Sequence, residues 1–312
     1  MRTMPCMNNM IFNIYSGCNV RCRHCSNEEM LSTSQVMDEK IIEKALKEGK
    51  EAGLKQITFV GGEPFLAYSS LQKYCCLAKE NGVNACAITN GYWAKSKEAA
   101  LETLTALPGL TSLFLSTDFY HLEFISYSII ENALWACFEL GIKVSLNATC
   151  AKKEDRKLLR NLFQQYKNKV YLNVQMLMPI GAAKKIEIER FVLKEKIDRL
   201  GHVCGIGNYY VDMNGDVYGC CNSLLLEKSM FYYGNLREMS LSQIQREASR
   251  DSLYQYICKK GPRGIGKLLK QSDLYEEYQE EKYTCECDFC ISVMKHNFKL
   301  YKTLEEDGGA KW

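Results

Sequence analysis

The chain has 312 residues, 46% hydrophobic and 25% charged, a globular composition long enough for a sizeable core. Its 40 basic and 37 acidic side chains nearly cancel to a net charge of +3, so no global field draws it onto nucleic acid or an anionic membrane. No stretch approaches the roughly 20 apolar residues that span a bilayer, and Met1 to Met10 lacks a secretory pattern, so a cytoplasmic protein is expected, whose 16 cysteines serve metal rather than disulfides.

From Met10 to about Met178, apolar runs rich in β-branched residues alternate with segments of helical period, the pattern of parallel strands joined by crossover helices. The strands expected are Met10 to Tyr15, Gln56 to Val60, Asn84 to Thr89, Ser112 to Ser116, Lys143 to Thr149 and Val170 to Met178. Helices are expected near 36–52, 68–81, 95–106, 126–140 and 154–166, with Asp38 near a start and Gly82 and Gly141 as stops. The fold class read from this is α/β, a curved and partly closed (β/α)6 barrel over 1–181. A cysteine-rich module over 182–312 follows, in which Asn214-Gly215 marks a tight hairpin between Tyr209 to Met213 and Asp216 to Tyr218. In such folds chemistry gathers in the loops at the carboxyl ends of the strands.

After the first strand, Gly17-Cys18-Asn19-Val20-Arg21-Cys22-Arg23-His24-Cys25 places Cys18, Cys22 and Cys25 at C-x3-C-x2-C spacing. Three thiolates on a four-iron cluster leave one iron without a protein ligand. Spacing alone does not settle the reading. The loop's position, His24 before the last cysteine, and Gly61-Gly62-Glu63-Pro64 at the end of the second strand together resemble the radical SAM superfamily.

That resemblance implies a 4Fe-4S cluster that chelates S-adenosylmethionine (SAM) through its open iron, with Gly61, Gly62 and Glu63 at the SAM amino group. It further implies polar contacts to SAM from Asn90, Ser116, Asp118 and Asn147, each at a strand end; each could equally cap a helix or satisfy backbone. Asp118 and His121 are expected to face the cavity.

A second constellation comprises Cys204, Cys220-Cys221 and Cys285-x-Cys287-x2-Cys290. A C-x2-C pair with two distant cysteines can close a thiolate set around zinc or around a fully ligated iron-sulfur cluster. The resemblance favours a second, auxiliary 4Fe-4S cluster on Cys204, Cys220, Cys287 and Cys290, with Cys221 unligated and Cys285 in reserve. For a lone cysteine the plain alternative is a small buried hydrophobe.

The chain is also similar, over most of its length, to radical SAM peptide epimerases acting on ribosomally made peptides. This rests on the cysteine loop, Gly61-Gly62-Glu63, Asn90-Gly91-Tyr92-Trp93, Tyr120-His121, Gly181-Ala182-Ala183-Lys184, and Cys204 followed by Asp216-Val217-Tyr218-Gly219-Cys220-Cys221-Asn222; Cys285 departs from the pattern. It implies a ribosomally synthesised precursor peptide as substrate, an electron donor as partner, and Cys221 as the catalytic thiol that returns hydrogen to the peptide. The alternatives are a peptide-crosslinking maturase and a non-enzymatic metal-binding module. Lys259, Lys260, Arg263, Lys267 and Lys270 read as a solvated helix flank, or as a dock for an acidic leader peptide. Cys18 comes too early to leave room for a leader-binding domain before it, so the barrel mouth and tail are expected to bind the peptide.

Overall fold

The computed structural model describes residues 7–28, 31, 33–187, 196, 204, 207–221, 230–279, 281–294 and 296–306; Asn222 of the epimerase-like motif lies outside them. Six βα units come first: β1 Asn9–Tyr15, α1 Glu39–Ala52, β2 Gln56–Gly61, α2 Tyr68–Glu80, β3 Asn84–Thr89, α3 Lys97–Thr105, β4 Leu110–Ser116, α4 Tyr127–Glu139, β5 Lys143–Cys150, α5 Lys153–Leu162 and β6 Tyr171–Met176. The strands pair in parallel in the order 6-5-4-3-2-1. Every expected strand and helix is present, with ends shifted by at most a few residues.

Local chemistry accounts for the boundaries. Asp38 caps α1 by accepting from Lys40 N at 3.1 Å, and Gly82 and Gly141 follow α2 and α4 in the left-handed conformation (φ 68° and 66°) that lets the chain turn back into a strand. Along β1, Met10, Phe12 and Ile14 are fully buried, whereas Ile11 between them lines the barrel interior. Each fully buried large apolar side chain contributes about 1.5–3 kcal/mol.

The second half does not stand apart from this sheet. β7 (Asn208–Val211) pairs in parallel with β1, and the hairpin strands β8 (Asp216–Tyr218) and β9 (Tyr232–Asn235) follow antiparallel, so one nine-stranded sheet runs 6-5-4-3-2-1-7-8-9. The Asn214-Gly215 turn sits between β7 and β8 as expected.

Beyond the sheet lie α6 (Leu241–Arg250), α7 (Ser252–Leu269, broken at Gly261-Pro262), α8 (Tyr275–Tyr278), α9 (Glu286–Met294) and α10 (Asn297–Glu306). Helix α6 is tied to α1: Leu241 N donates to Glu48 Oε2 at 2.7 Å and Gln245 Nε2 to Ala52 O at 2.8 Å. The five basic side chains from Lys259 to Lys270 are all exposed, on α7 and its end. No helix among the described residues is long and apolar enough to cross a membrane.

Because β7 covers one edge of β1, a chain ended after residue 181 would expose a strand carrying Met10, Phe12 and Ile14. Such a fragment is expected to aggregate in size-exclusion chromatography; a monodisperse folded fragment would show that the barrel closes without β7.

Candidate active site

The cysteine loop is fixed at both ends by backbone. Gly62 N donates to Tyr15 O at 2.8 Å and Glu63 N to Gly17 O at 2.8 Å, joining the turn after β2 to the start of the loop. A Cβ at Gly62 would overlap the Gly17 carbonyl, so only glycine permits this approach. At the other end Ala182 N donates to Cys25 O at 2.9 Å, and a Cβ at Gly181 would overlap that same oxygen.

Glu63 is 1% exposed, and its carboxylate turns toward β3 rather than into open space. Its Oε1 accepts from Thr89 Oγ1 at 2.7 Å and Phe65 N at 3.1 Å, and its Oε2 accepts from Asn90 N at 2.8 Å. Burial pushes this carboxyl up to about 7, against the pull of those hydrogen bonds. Asn90 is fixed in turn: its Nδ2 donates to Asn19 Oδ1 at 2.9 Å and its Oδ1 accepts from Tyr92 N at 3.0 Å. The second strand end is therefore bonded to both the third and the cysteine loop.

Asp118 serves its own turn. Its Oδ1 accepts from the Tyr120 and His121 backbone N–H groups, both at 3.0 Å. Its Oδ2 accepts from Thr149 N at 3.0 Å and lies 3.0 Å from His121 Nδ1 and 3.5 Å from His24 Nε2. Burial raises the Asp118 carboxyl, but His121, His24 and the Thr149 backbone N–H together lower it below its ordinary value. Burial drives His24 down to about 4. The ring of His24 stacks on Tyr120 at 4.7 Å between centroids. Asp118 and His121 both line the cavity, as expected, yet the Asp118 oxygens are occupied by protein donors; its observed work is to hold the histidine pair against the cysteine loop. Asn147 Oδ1 accepts from Asn173 Nδ2 at 3.2 Å.

These residues surround one cavity of about 500 Å³. Cys18, Cys22, Cys25, Gly61, Gly62, Glu63, Asn90, Ser116, Asp118 and Asn147 all line it, and so does Cys221 from the end of the β7–β8 hairpin. A neighbouring hollow of about 760 Å³ shares Cys22, Cys25 and Leu31 and opens past Arg21, Phe119 and Lys152. Sequence reasoning had not picked out Tyr210, which also lines the main cavity; nothing local marks it, because it arrives only through the pairing of β7 with β1.

The remaining tail cysteines form a second group. Burial raises the Cys290 thiol, with Cys204 and Cys285 adding to the effect; Cys287 is raised by its hydrogen bond with Cys285, then by burial and by its neighbours Cys285, Cys221 and Cys290. A hydrogen bond from Cys220 lowers Cys221 to about 7. Cys204, Cys285, Cys287 and Cys290 thus act on one another, and Cys221, bonded to Cys220 and acting on Cys287, also lines the cavity. Cys258 on α7, also unmarked by spacing, lies near Cys204.

Both groups suit iron-sulfur ligation. All 15 described cysteines are free thiols, and burial pushes Cys18 up to about 11, with Glu63, Cys22 and Cys25 adding to the effect. Protonated, such a group wastes its donor power; a bound iron takes the thiolate and removes the penalty. Replacing Gly62 with alanine should dislodge the cysteine loop. Iron analysis of G62A is expected to show loss of the first cluster's iron with the tail's retained, and full iron content would refute the close-packing argument.

Comparison with known proteins gives the same division. The family model described as the Radical SAM superfamily matches residues 12–165, and that of the SPASM iron-sulfur cluster-binding domain matches residues 204–291. A Bacillus subtilis (strain 168) protein described by name as the peptide biosynthesis protein YydG is 27% identical over 304 residues, covering 92% of each chain. GTP 3′,8-cyclase of Clostridium perfringens (strain SM101 / Type A) is 25% identical over 197 residues, 57% of this chain and 60% of the cyclase. The solved structure of native anSMEcpe with bound AdoMet and Cp18Cys peptide shares the fold, with a TM-score of 0.58 at 14% identity over 96% of this chain and 99% of the other.

Proposed function

The chain is a radical SAM protein whose barrel continues into a SPASM iron-sulfur domain, and on that premise we propose that it is a peptide epimerase, converting L-residues of a ribosomally synthesised peptide to D-residues. Its cofactors are SAM, the 4Fe-4S cluster of the radical SAM domain and auxiliary iron-sulfur at the SPASM domain. Likeness to a peptide biosynthesis protein over 92% of the chain supports a peptide substrate. The observation that carries the finer reading is the placement of Cys221, which lines the same cavity as Cys18, Cys22 and Cys25 although it belongs to the other domain.

Cys18, Cys22 and Cys25 would hold the SAM-binding cluster, and Cys204, Cys220, Cys287 and Cys290 the auxiliary one, with Cys285 in reserve. We place the boundary between the two modules after residue 181. Gly61, Gly62, Glu63, Asn90, Ser116, Asp118 and Asn147, which line the cavity, would contact SAM. When bound, the reduced cluster and SAM would supply the radical chemistry that removes the Cα hydrogen of the peptide residue.

What this chain must add is a hydrogen atom from the opposite face. The carbon left behind is planar, so the face that receives hydrogen decides the product. Cys221 is suited to give it: an S–H yields a hydrogen atom readily, whereas a ligating sulfur has none to give. The S–H bond breaks, a Cα–H bond of inverted configuration forms, and the cysteine is left one hydrogen atom short. One electron and one proton from the electron donor restore it. The neighbouring hollow of about 760 Å³ offers the peptide room to enter beside the cysteine loop.

Cys221→Ala is expected to keep forming deoxyadenosine while losing all D-residue product, as read by chiral hydrolysis; continued epimerisation would remove Cys221 from the mechanism. In heavy water the wild-type protein should deliver a peptide one deuterium heavier at the inverted Cα. A product two hydrogens lighter would instead establish crosslinking. Cys25→Ala should abolish SAM cleavage altogether, because the first cluster loses a ligand.

A further inference from the structure

Tyr210 stands in the cavity wall with a hydroxyl proton that no described residue receives. It lies on β7 opposite Ile11 of β1, is 4% exposed and lines the same cavity as Cys221. Its oxygen accepts a hydrogen bond from Asn13 Nδ2 at 3.2 Å. An amide nitrogen can only donate, so in this arrangement the hydroxyl oxygen accepts and its own O–H is left for the cavity. Buried donors without an acceptor are costly and rare, and one that lines a cavity points to a ligand group.

Several other polar groups of the cavity are committed to protein, whereas His24 Nδ1 and His121 Nδ1, on the cysteine-loop side, are buried with no hydrogen-bond partner among the described residues. Both Glu63 oxygens, both Asp118 oxygens, and the amide nitrogen and oxygen of Asn90 have partners of their own. Tyr210 is therefore a donor available to a bound molecule, and it comes from the same hairpin as Cys221 rather than from β2 to β5, whose ends would contact SAM.

We infer that Tyr210 is a substrate-binding residue whose O–H donates to a peptide carbonyl adjoining the Cα that reacts. This rests on the peptide reading above. An acceptor there is chemically apt: a radical centred on Cα shares its spin with the neighbouring carbonyl oxygen, and a hydrogen bond to that oxygen both orients the residue and stabilises the planar carbon. No proton or electron is transferred by Tyr210; it holds the carbonyl so that the two faces of the carbon stay aligned between the adenosyl group and Cys221.

The test uses the reconstituted protein, candidate short peptides encoded beside its gene, and two variants. Tyr210→Phe removes only the hydroxyl. It is expected to raise the peptide KM about tenfold, the scale of one lost hydrogen bond, and to increase the deoxyadenosine formed per product. The KM for SAM, the iron content and the melting curve should not move. Asn13→Asp keeps a side chain of the same shape but offers an acceptor, so the Tyr210 proton turns away from the cavity and the same phenotype is expected. A Tyr210→Phe protein with unaltered peptide KM and coupling overturns the inference. So does a change confined to the KM for SAM, or a folded Asn13→Asp protein that behaves as wild type. Should the wild type yield a crosslinked peptide, the epimerase reading falls, while the peptide KM of Tyr210→Phe still decides whether Tyr210 binds the peptide.

Discussion

The contact between Gly62 and the Gly17 carbonyl, a place where no side chain fits, sets the geometry of everything around it. Two backbone hydrogen bonds cross it, from Gly62 to Tyr15 and from Glu63 to Gly17, so the turn after β2 and the cysteine loop after β1 move as one piece. From there order spreads sideways: Glu63 fixes the Thr89-Asn90 end of β3, and Asn90 reaches back to Asn19 inside the loop. A buried carboxylate is expensive to desolvate, and three hydrogen bonds offset that cost only in this arrangement. The cysteine triplet is thus presented by a rigid frame, which a site needs if three thiols are to meet one inorganic cluster.

The second constraint is the continuity of the sheet. A cysteine-rich tail could hang from a barrel by a linker, but here β7 is bonded along β1, and α6 is bonded to α1 through Glu48 and Ala52. The strand that leads into Cys18 is therefore flanked by the strand that leads, through the hairpin, to Cys220 and Cys221. Interfaces between domains of one chain usually permit relative motion; a shared ladder of backbone hydrogen bonds permits far less. Cys18 and Cys220 keep a fixed separation because the strands that lead into them belong to one sheet.

Much of this was legible in the sequence, for identifiable reasons. The apolar run Ile57 to Val60 and the alternation from Val144 to Ala148 announce strands because the core-facing side of each strand needs apolar side chains. The cysteine loop and the glycine turn were legible because each is a local pattern. What escaped was non-local: that β7 adds to the free side of β1 instead of opening a separate layer, and that Tyr210 and Cys258 come to the two cysteine groups with it. Around Asp118 the signal is local again: an aspartate three residues before a histidine in a tight turn is drawn to the backbone N–H groups of that turn.

The β1–β7 pairing bears on fidelity. Asn9 faces Asn208 and Phe12 faces Val211, so the offset between the strands can change only in whole residues, steps of about 3.3 Å. A slip of one residue would turn Tyr210 to the outer side of the sheet, since successive side chains alternate faces. Small errors of alignment are thereby forbidden and only gross ones remain. A misassembled molecule would be silent rather than careless, because the wall that carries Tyr210 would be missing from the cavity.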